Sequence, residues 1–209
     1  MIGERPRGLY ALADGEALGG AEHVAEAAGR MARAGVRHLQ WRVKQASDGD
    51  RWASLAATLE SVAGTGAAVW VDDRVDLALC LRVFGVHLGQ RDLPPGDART
   101  LLGSGTQIGW STHDRAQIDA AAADPAVDWI AVGPIFPTGS KRNAEPAVGL
   151  ELLGHARRSS TKPIVAIGGI DAGNAASVLD AGADVVAVLS AICRGDIERN
   201  VHQLLEAIA

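Results

Sequence analysis

Two stretches decide how this chain reads: Pro163-Ile164-Val165-Ala166-Ile167-Gly168-Gly169-Ile170 and, one unit later, Gly182-Ala183-Asp184-Val185-Val186-Ala187-Val188-Leu189-Ser190-Ala191-Ile192. Each holds a short apolar run rich in β-branched residues, which predicts a strand buried on both faces. The first strand ends in a glycine pair, with Asn174 opening a helix, and the second ends at a small hydroxyl residue before another helical stretch. Glycine lets backbone N–H groups approach an anion closely. A helix N-terminus adds unpaired donors and the positive end of a dipole. A tight turn would also use Gly168–Gly169. At the end of two consecutive strand–helix units, the phosphate reading outweighs it.

The same alternation runs through the chain. Apolar runs recur at Leu9–Leu12, His38–Trp41, Ala68–Val71, Gly85–Leu88, Gln107–Trp110 and Trp129–Val132, ahead of Pro163–Ile167 and Val185–Leu189. Between them lie segments with helical spacing: Val24, Ala27, Ala28, Met31 and Ala32 share one face of the first, and Leu55, Leu59 and Val62 one face of the second. Eight strands alternating with helices in 209 residues fit a minimal (β/α)8 TIM barrel. An open doubly wound sheet gives a similar alternation, so periodicity alone does not choose. The placement of polar residues helps. Gln40, Arg42, Asp72, Asp73, His87, Gln90, Ser111, His113 and Thr138 fall at strand ends or on the loops that follow, the rim where barrel chemistry sits. No linker or low-complexity stretch divides the chain, so residues 1–209 read as a single α/β domain without an obvious internal repeat.

Composition narrows the class. Net charge is -5, with 47% hydrophobic and 22% charged residues. An acidic balance argues against nucleic acid or an anionic membrane as partner. No stretch reaches the length of a membrane span, and Met1 to Arg7 hold no apolar signal region, so a cytoplasmic enzyme of small molecules is expected. Cys80 and Cys193 sit in apolar segments and read as buried free thiols. Homo-oligomerisation is left open.

Asp73 follows the third strand and Asp92 the fourth. In a barrel these strands are neighbours, so both carboxylates reach one site, and two oxygen ligands with water positions to spare suit Mg2+. Zinc-type spacings of His and Cys are absent. Taken alone, Asp73 reads equally as a cap for the helix beginning near Val75. Arg42 and Lys44 follow the second strand, and Lys141 lies in the loop after the sixth. Singly these are solvated surface charges; around a metal-bound polyphosphate they neutralise its oxygens. The loop Pro134-Ile135-Phe136-Pro137-Thr138-Gly139-Ser140-Lys141, running on to Gly149, has no periodicity and reads as a substrate loop or lid. Two anion sites across one rim suggest a transferase that joins two phosphorylated pieces.

The wording of the motifs is more specific than their physics. Leu39-Gln40-Trp41-Arg42-Val43-Lys44, Asp72-Asp73-Arg74-Val75-Asp76-Leu77, Gly85-Val86-His87-Leu88-Gly89-Gln90-Arg91-Asp92, Gly109-Trp110-Ser111-Thr112-His113, Val132-Gly133-Pro134-Ile135-Phe136-Pro137-Thr138 and Val165-Ala166-Ile167-Gly168-Gly169-Ile170 resemble, in order, the thiamine-phosphate synthase family. The resemblance implies a TIM barrel that transfers the 4-amino-2-methyl-5-pyrimidinylmethyl group from its diphosphate to a thiazole phosphate. It implies Mg2+ on Asp73 and Asp92, with Arg42, Lys44 and Lys141 around the leaving group. Asp72 stands beside the metal aspartate and His87 is a candidate donor to the leaving group. Gln40 and Ser111 would touch the pyrimidine; Thr138, Ser140, Gly169 and the backbone at Leu189–Ser190 would hold the thiazole phosphate.

Three positions depart from the common pattern of that family. Val43 replaces a frequent glutamate, Asp72 a frequent asparagine, and Ala13 a frequent threonine in the first strand. Asp72 brings an extra negative charge to a diphosphate site, and Asp14 receives no role. Rival readings are a thiazole tautomerase-type isomerase with one phosphate substrate, and a thiamine-phosphate binder without catalysis. Paired Asp73 and Asp92 weigh against the first. Trp41, Trp70 and Trp110 read as strand packing and Trp52 and Trp129 as packing between helices and barrel. His87 reads equally as a hydrogen-bonded core residue, and His23, His155 and His202 as helix-surface residues.

Overall fold

The computed structural model describes residues 7–139 and 146–209. Its strands are β1 (Gly8–Asp14), β2 (His38–Arg42), β3 (Ala68–Asp72), β4 (Gly85–Leu88), β5 (Gln107–Thr112), β6 (Trp129–Val132), β7 (Ile164–Ile167) and β8 (Val185–Val188). The helices are α1 (Gly15–Leu18), α2 (Val24–Arg33), α3 (Asp48–Val62), α4 (Val75–Leu81), α5 (Pro95–Leu102), α6 (Arg115–Ala123), α7 (Gly149–Ser159), α8 (Ala175–Asp180), α9 (Ser190–Cys193) and α10 (Ile197–Ala207), and a short 3-10 turn, Ala21–His23, precedes α2. All neighbouring strands pair in parallel, and β1 pairs with β8, which closes the barrel in sequence order. That closure separates the barrel from the open sheet. None of the described helices is long and apolar enough to cross a membrane.

The apolar runs sort by the two-residue period of a strand. One parity, including Leu9, Ala11, Ala13, Leu39, Trp41, Val69 and Val71, packs outward on the helices in the larger core. The other, including Tyr10, Leu12, Trp70, Trp129, Ala131, Val165, Val185 and Ala187, fills the barrel interior. The interior is not uniform along its axis. Tyr10, His38, Trp70, Phe84 and Trp129 form a ring-on-ring cluster toward the strand starts, with His38 and Trp129 centroids 4.9 Å apart. Small partners make room for large ones: a side chain on Gly85 would collide with the Trp70 ring, and one on Gly109 would meet His87 Nδ1 at 2.7 Å.

Several packing expectations need correction. Trp129 lies inside the barrel, and Trp52 is 44% exposed on α3. Cys80 is exposed, while Cys193 is buried and donates to the Leu12 carbonyl at 3.2 Å. A short repeat is also present: Val127-Asp128-Trp129-Ile130-Ala131-Val132 and Ala183-Asp184-Val185-Val186-Ala187-Val188 run in parallel. In each the aspartate accepts the N–H that opens the preceding strand, Ile108 for Asp128 at 2.7 Å and Ile164 for Asp184 at 2.8 Å. Each also takes an arginine from the helix that leads into that preceding strand, Arg99 of α5 at 2.5 Å and Arg157 of α7 at 2.8 Å. The repeat satisfies backbone donors at the foot of the barrel, where an unpaired one would be costly.

Candidate active site

Following the interior parity upward explains where the polar side chains go. Leu12 is followed two residues later by Asp14, Gln40 by Arg42, Trp70 by Asp72, and Gly109 by Ser111, so each strand turns polar at its C-terminal end on the inward face. Gln40, however, lies within β2 rather than on the following loop. It is 3% exposed, and its amide donates to the Tyr10 hydroxyl at 3.1 Å. His87 and Ser111 likewise sit within strands and are joined, His87 Nε2 to Ser111 Oγ, at 2.8 Å. Gln90, from the loop after β4, donates to the Ser111 carbonyl at 2.6 Å.

The charged groups converge between β1, β2, β3 and β4. Arg42 is hydrogen-bonded to Asp14 and lies 3.4 Å from Asp72 through Nε. Lys44 Nζ contacts Asp72 at 2.6 Å and is hydrogen-bonded to Asp73. Asp72 Oδ2 meets these cations as ion contacts, without an aligned hydrogen bond. Burial, and then the neighbouring Asp73, push the Asp72 carboxyl above its usual range, against the pull of Lys44 and Arg42.

Asp73 does not cap α4; Arg74 occupies that position without a side-chain cap. Its own backbone is left-handed, with φ 61°, a conformation unfavourable for a side-chain-bearing residue by about 1 kcal/mol. The turn is held by hydrogen bonds from Asp73 N to the His87 carbonyl at 2.9 Å and from Arg74 N to the Asp72 carbonyl at 2.8 Å. This backbone turn aims the Asp73 carboxyl at Asp92, and the two share a hydrogen bond. Burial favours the neutral form of Asp73, but the hydrogen bond and charge of Lys44, together with Asp92 and His87, outweigh it and hold the group low. Burial and then Asp73 itself push Asp92 up, although the Gly89 N–H at 2.7 Å works the other way. Two carboxyls forced into one hydrogen bond are the arrangement that a hard divalent cation relieves, since it replaces a like-charge contact with two attractions. Among the described residues no set of three or more His, Cys, Asp or Glu side chains is arranged as a metal cage. Two carboxylates are a donor set compatible with Mg2+, which commonly keeps water and substrate oxygens among its ligands.

Across the rim, the loop after β6 leans on the loop after β7. Ile135 and Phe136 donate to the Ile167 and Gly168 carbonyls at 2.9 and 3.0 Å. A side chain on Gly168 would collide with Pro134, and one on Gly169 would meet Phe136 Cβ at 2.7 Å. Both glycines have positive φ, 103° and 66°. The glycine pair is thus required by the close approach of two loops as well as by a turn. Thr138 follows this contact and is half-buried. Leu189 and Ser190 open α9 at the top of β8. Ser140 and Lys141 lie outside the described residues.

Two further residues belong to the site's frame. Asp14 is described above. Arg51, on α3, donates to the Val43 and Lys44 carbonyls at 3.3 and 2.7 Å and so ties down the segment that carries Lys44. The inward parity of Leu12 could have singled out Asp14. No sequence pattern points to Arg51, because its partners are backbone atoms.

Fold and rim define a (β/α)8-barrel protein with its charged cluster at the C-terminal ends of the strands. Residues 9–192 match the family described as thiamine monophosphate synthase, and the chain belongs to that family. It is 42% identical over 203 residues to a thiamine-phosphate synthase of Myxococcus xanthus, covering 97% of this chain and 92% of that protein. A thiamine-phosphate synthase of Albidiferax ferrireducens is 39% identical over 204 residues, with 96% and 92% covered. Among solved structures, thiamine phosphate pyrophosphorylase from Pyrococcus furiosus superposes with TM-score 0.85 at 29% identity, over 96% of this chain and 94% of that one.

Proposed function

We propose that this chain makes thiamine phosphate, transferring the 4-amino-2-methyl-5-pyrimidinylmethyl group from its diphosphate to the nitrogen of a thiazole phosphate and releasing diphosphate. The observation that carries the reading is the balance of charge at the rim: Asp72, Asp73 and Asp92 gather around Arg42 and Lys44, and Arg42 is already paired with Asp14. A bare diphosphate would be repelled there. A diphosphate that arrives with a divalent cation would not.

Asp73 and Asp92 would hold Mg2+, which when bound withdraws charge from the departing diphosphate. Arg42 and Lys44 supply fixed positive charge to the same oxygens, and Lys141 is assigned with them. Gln40 and Ser111 face the interior beneath that cluster, which suits contact with the pyrimidine. Its Ser111 hydroxyl is oriented by His87, whose ring we assign to the edge of the leaving group. The electron-rich aminopyrimidine stabilises positive charge on its exocyclic carbon, so the C–O bond to diphosphate breaks as, or before, the thiazole nitrogen attacks. Thr138, Ser140, Gly169 and the backbone at Leu189–Ser190 would fix the thiazole phosphate on the far side of the rim. Holding the two reactants in contact supplies the remaining acceleration through orientation. The paired Asp73 and Asp92 favour this transfer over a single-phosphate isomerisation, and over binding alone.

The test is diphosphate release from purified protein given both substrates and Mg2+. Asp92→Ala should lower that release by more than about a hundredfold while the far-ultraviolet circular dichroism stays unchanged. Undiminished release by the variant would remove the metal assignment.

A further inference from the structure

Asp14 sits at the end of β1, directly across the strand register from Arg42. The residue is 3% exposed, and its carboxylate does two jobs with its two oxygens. Oδ1 accepts from Ala17 N at 2.8 Å, capping α1, and Oδ2 accepts from Arg42 Nη1. Asp72 reaches the same guanidinium through Nε, at 3.4 Å. The two contacts differ in kind. Asp14, fixed by its cap, accepts an aligned, charge-assisted hydrogen bond from Arg42, whereas Asp72 meets Arg42 only as an ion contact and is shared with Lys44. Arginine brings three side-chain methylenes of rotamer freedom to the rim, and ordering such a chain has a large entropic cost. The residue that bears that cost before substrate arrives is the one with the aligned bond.

We propose that Asp14 is a positioning residue that holds Arg42 ready for the diphosphate. The inference rests on the reading of Arg42 as a diphosphate-binding group. Asp14 touches no substrate and acts only through the guanidinium. Its negative charge could in principle repel the anion, but that charge is buried and already neutralised by Arg42, so loss of the anchor outweighs loss of the repulsion.

Asparagine caps a helix as well as aspartate does. Asp14→Asn therefore keeps α1 and removes the charged anchor. Isothermal titration with inorganic diphosphate and Mg2+ should show affinity falling by about tenfold or more in Asp14→Asn, because the oxygen is kept by the cap and the amide NH2 left facing Arg42 cannot accept its hydrogen bond. In the Arg42→Ala background the same change should cause no further loss, and affinity should hold or rise because Asp14 is then an unpaired negative charge. Under turnover, KM for the pyrimidine diphosphate should rise while KM for the thiazole phosphate stays put. Unchanged or tighter diphosphate binding in Asp14→Asn would overturn the proposal, as would an equal loss in both backgrounds, which marks a merely structural role. If Arg42→Ala itself binds diphosphate like the parent, the reading of Arg42 is wrong and the inference goes with it; if only Asp14→Asn is silent, that reading stands. Asp14→Ser, which also caps, replaces the asparagine variant should that one not fold.

Discussion

Arg42 lies between two carboxylates that do opposite things. Asp14 fixes it from behind, through a bond it can keep while substrate is bound. Asp72 lies on the side of Lys44 and Asp73 and competes with an incoming anion for both cations. Its Oδ2 lies 2.6 Å from Lys44 Nζ, a contact that an asparagine oxygen can keep in neutral form. Asp72→Asn should therefore fold normally and bind inorganic diphosphate with Mg2+ more tightly by about tenfold, near the lower, water-screened limit for one unit charge removed a few ångströms from an anion. Titration calorimetry of the two proteins measures this, and equal affinities would show that Asp72 does not compete.

At the scale of elements, the rim depends on loops that touch each other. The β6–α7 and β7–α8 loops meet through Pro134, Ile135 and Phe136 on one side and Gly168 and Gly169 on the other. Gly168→Ala adds a methyl against Pro134 at a φ of 103°. Overpacking and backbone strain together should destabilise the protein by about 3 kcal/mol, read as a lower urea midpoint at unchanged m-value. Because the displaced loop carries Thr138, KM for the thiazole phosphate should rise more than KM for the pyrimidine diphosphate. A variant as stable as the parent would show that the loops can separate freely.

For the molecule as a whole, the barrel divides into an aromatic foot and a charged rim, and the foot carries a titratable group. Burial lowers the His38 pKa from 6.5 to about 4, and Trp70 Nε1 donates to its Nδ1 at 3.4 Å, which suits the neutral ring. The folded state resists protonation between those values, while the unfolded chain takes up the proton below 6.5. Stability should thus fall as pH drops from 7 toward 4 and then level off with respect to this group. Between pH 7 and pH 5 the loss is about 2 kcal/mol. Urea denaturation at the two pH values measures it. His38→Leu should remove that part of the slope although it leaves the Trp70 N–H without its partner, and an unchanged slope would assign the pH dependence to other groups.

Much of this was written in local sequence. Continuous apolar runs separated by helical spacing carry eight strands alternating with helices, because burial on both faces of a parallel sheet leaves its mark residue by residue. The motif wording carried Arg42, Lys44, Asp73 and Asp92 to one rim, and the Pro-Gly punctuation marked the loops. The tertiary structure decided what each group touches. Barrel closure between β1 and β8 is a pairing of the two ends of the chain, which no local pattern encodes. The rings of Trp129 and Trp70 share the interior only because that closure folds β3 and β6 around one axis. Asp14 gained its task from a strand neighbour in β2, Gly168 and Gly169 theirs from a loop more than thirty residues earlier in the chain, and Arg51 its own from backbone carbonyls. Periodicity reports how deeply a residue is buried; which partner waits there is set by strand register and loop approach, and those exist only once the chain has closed on itself.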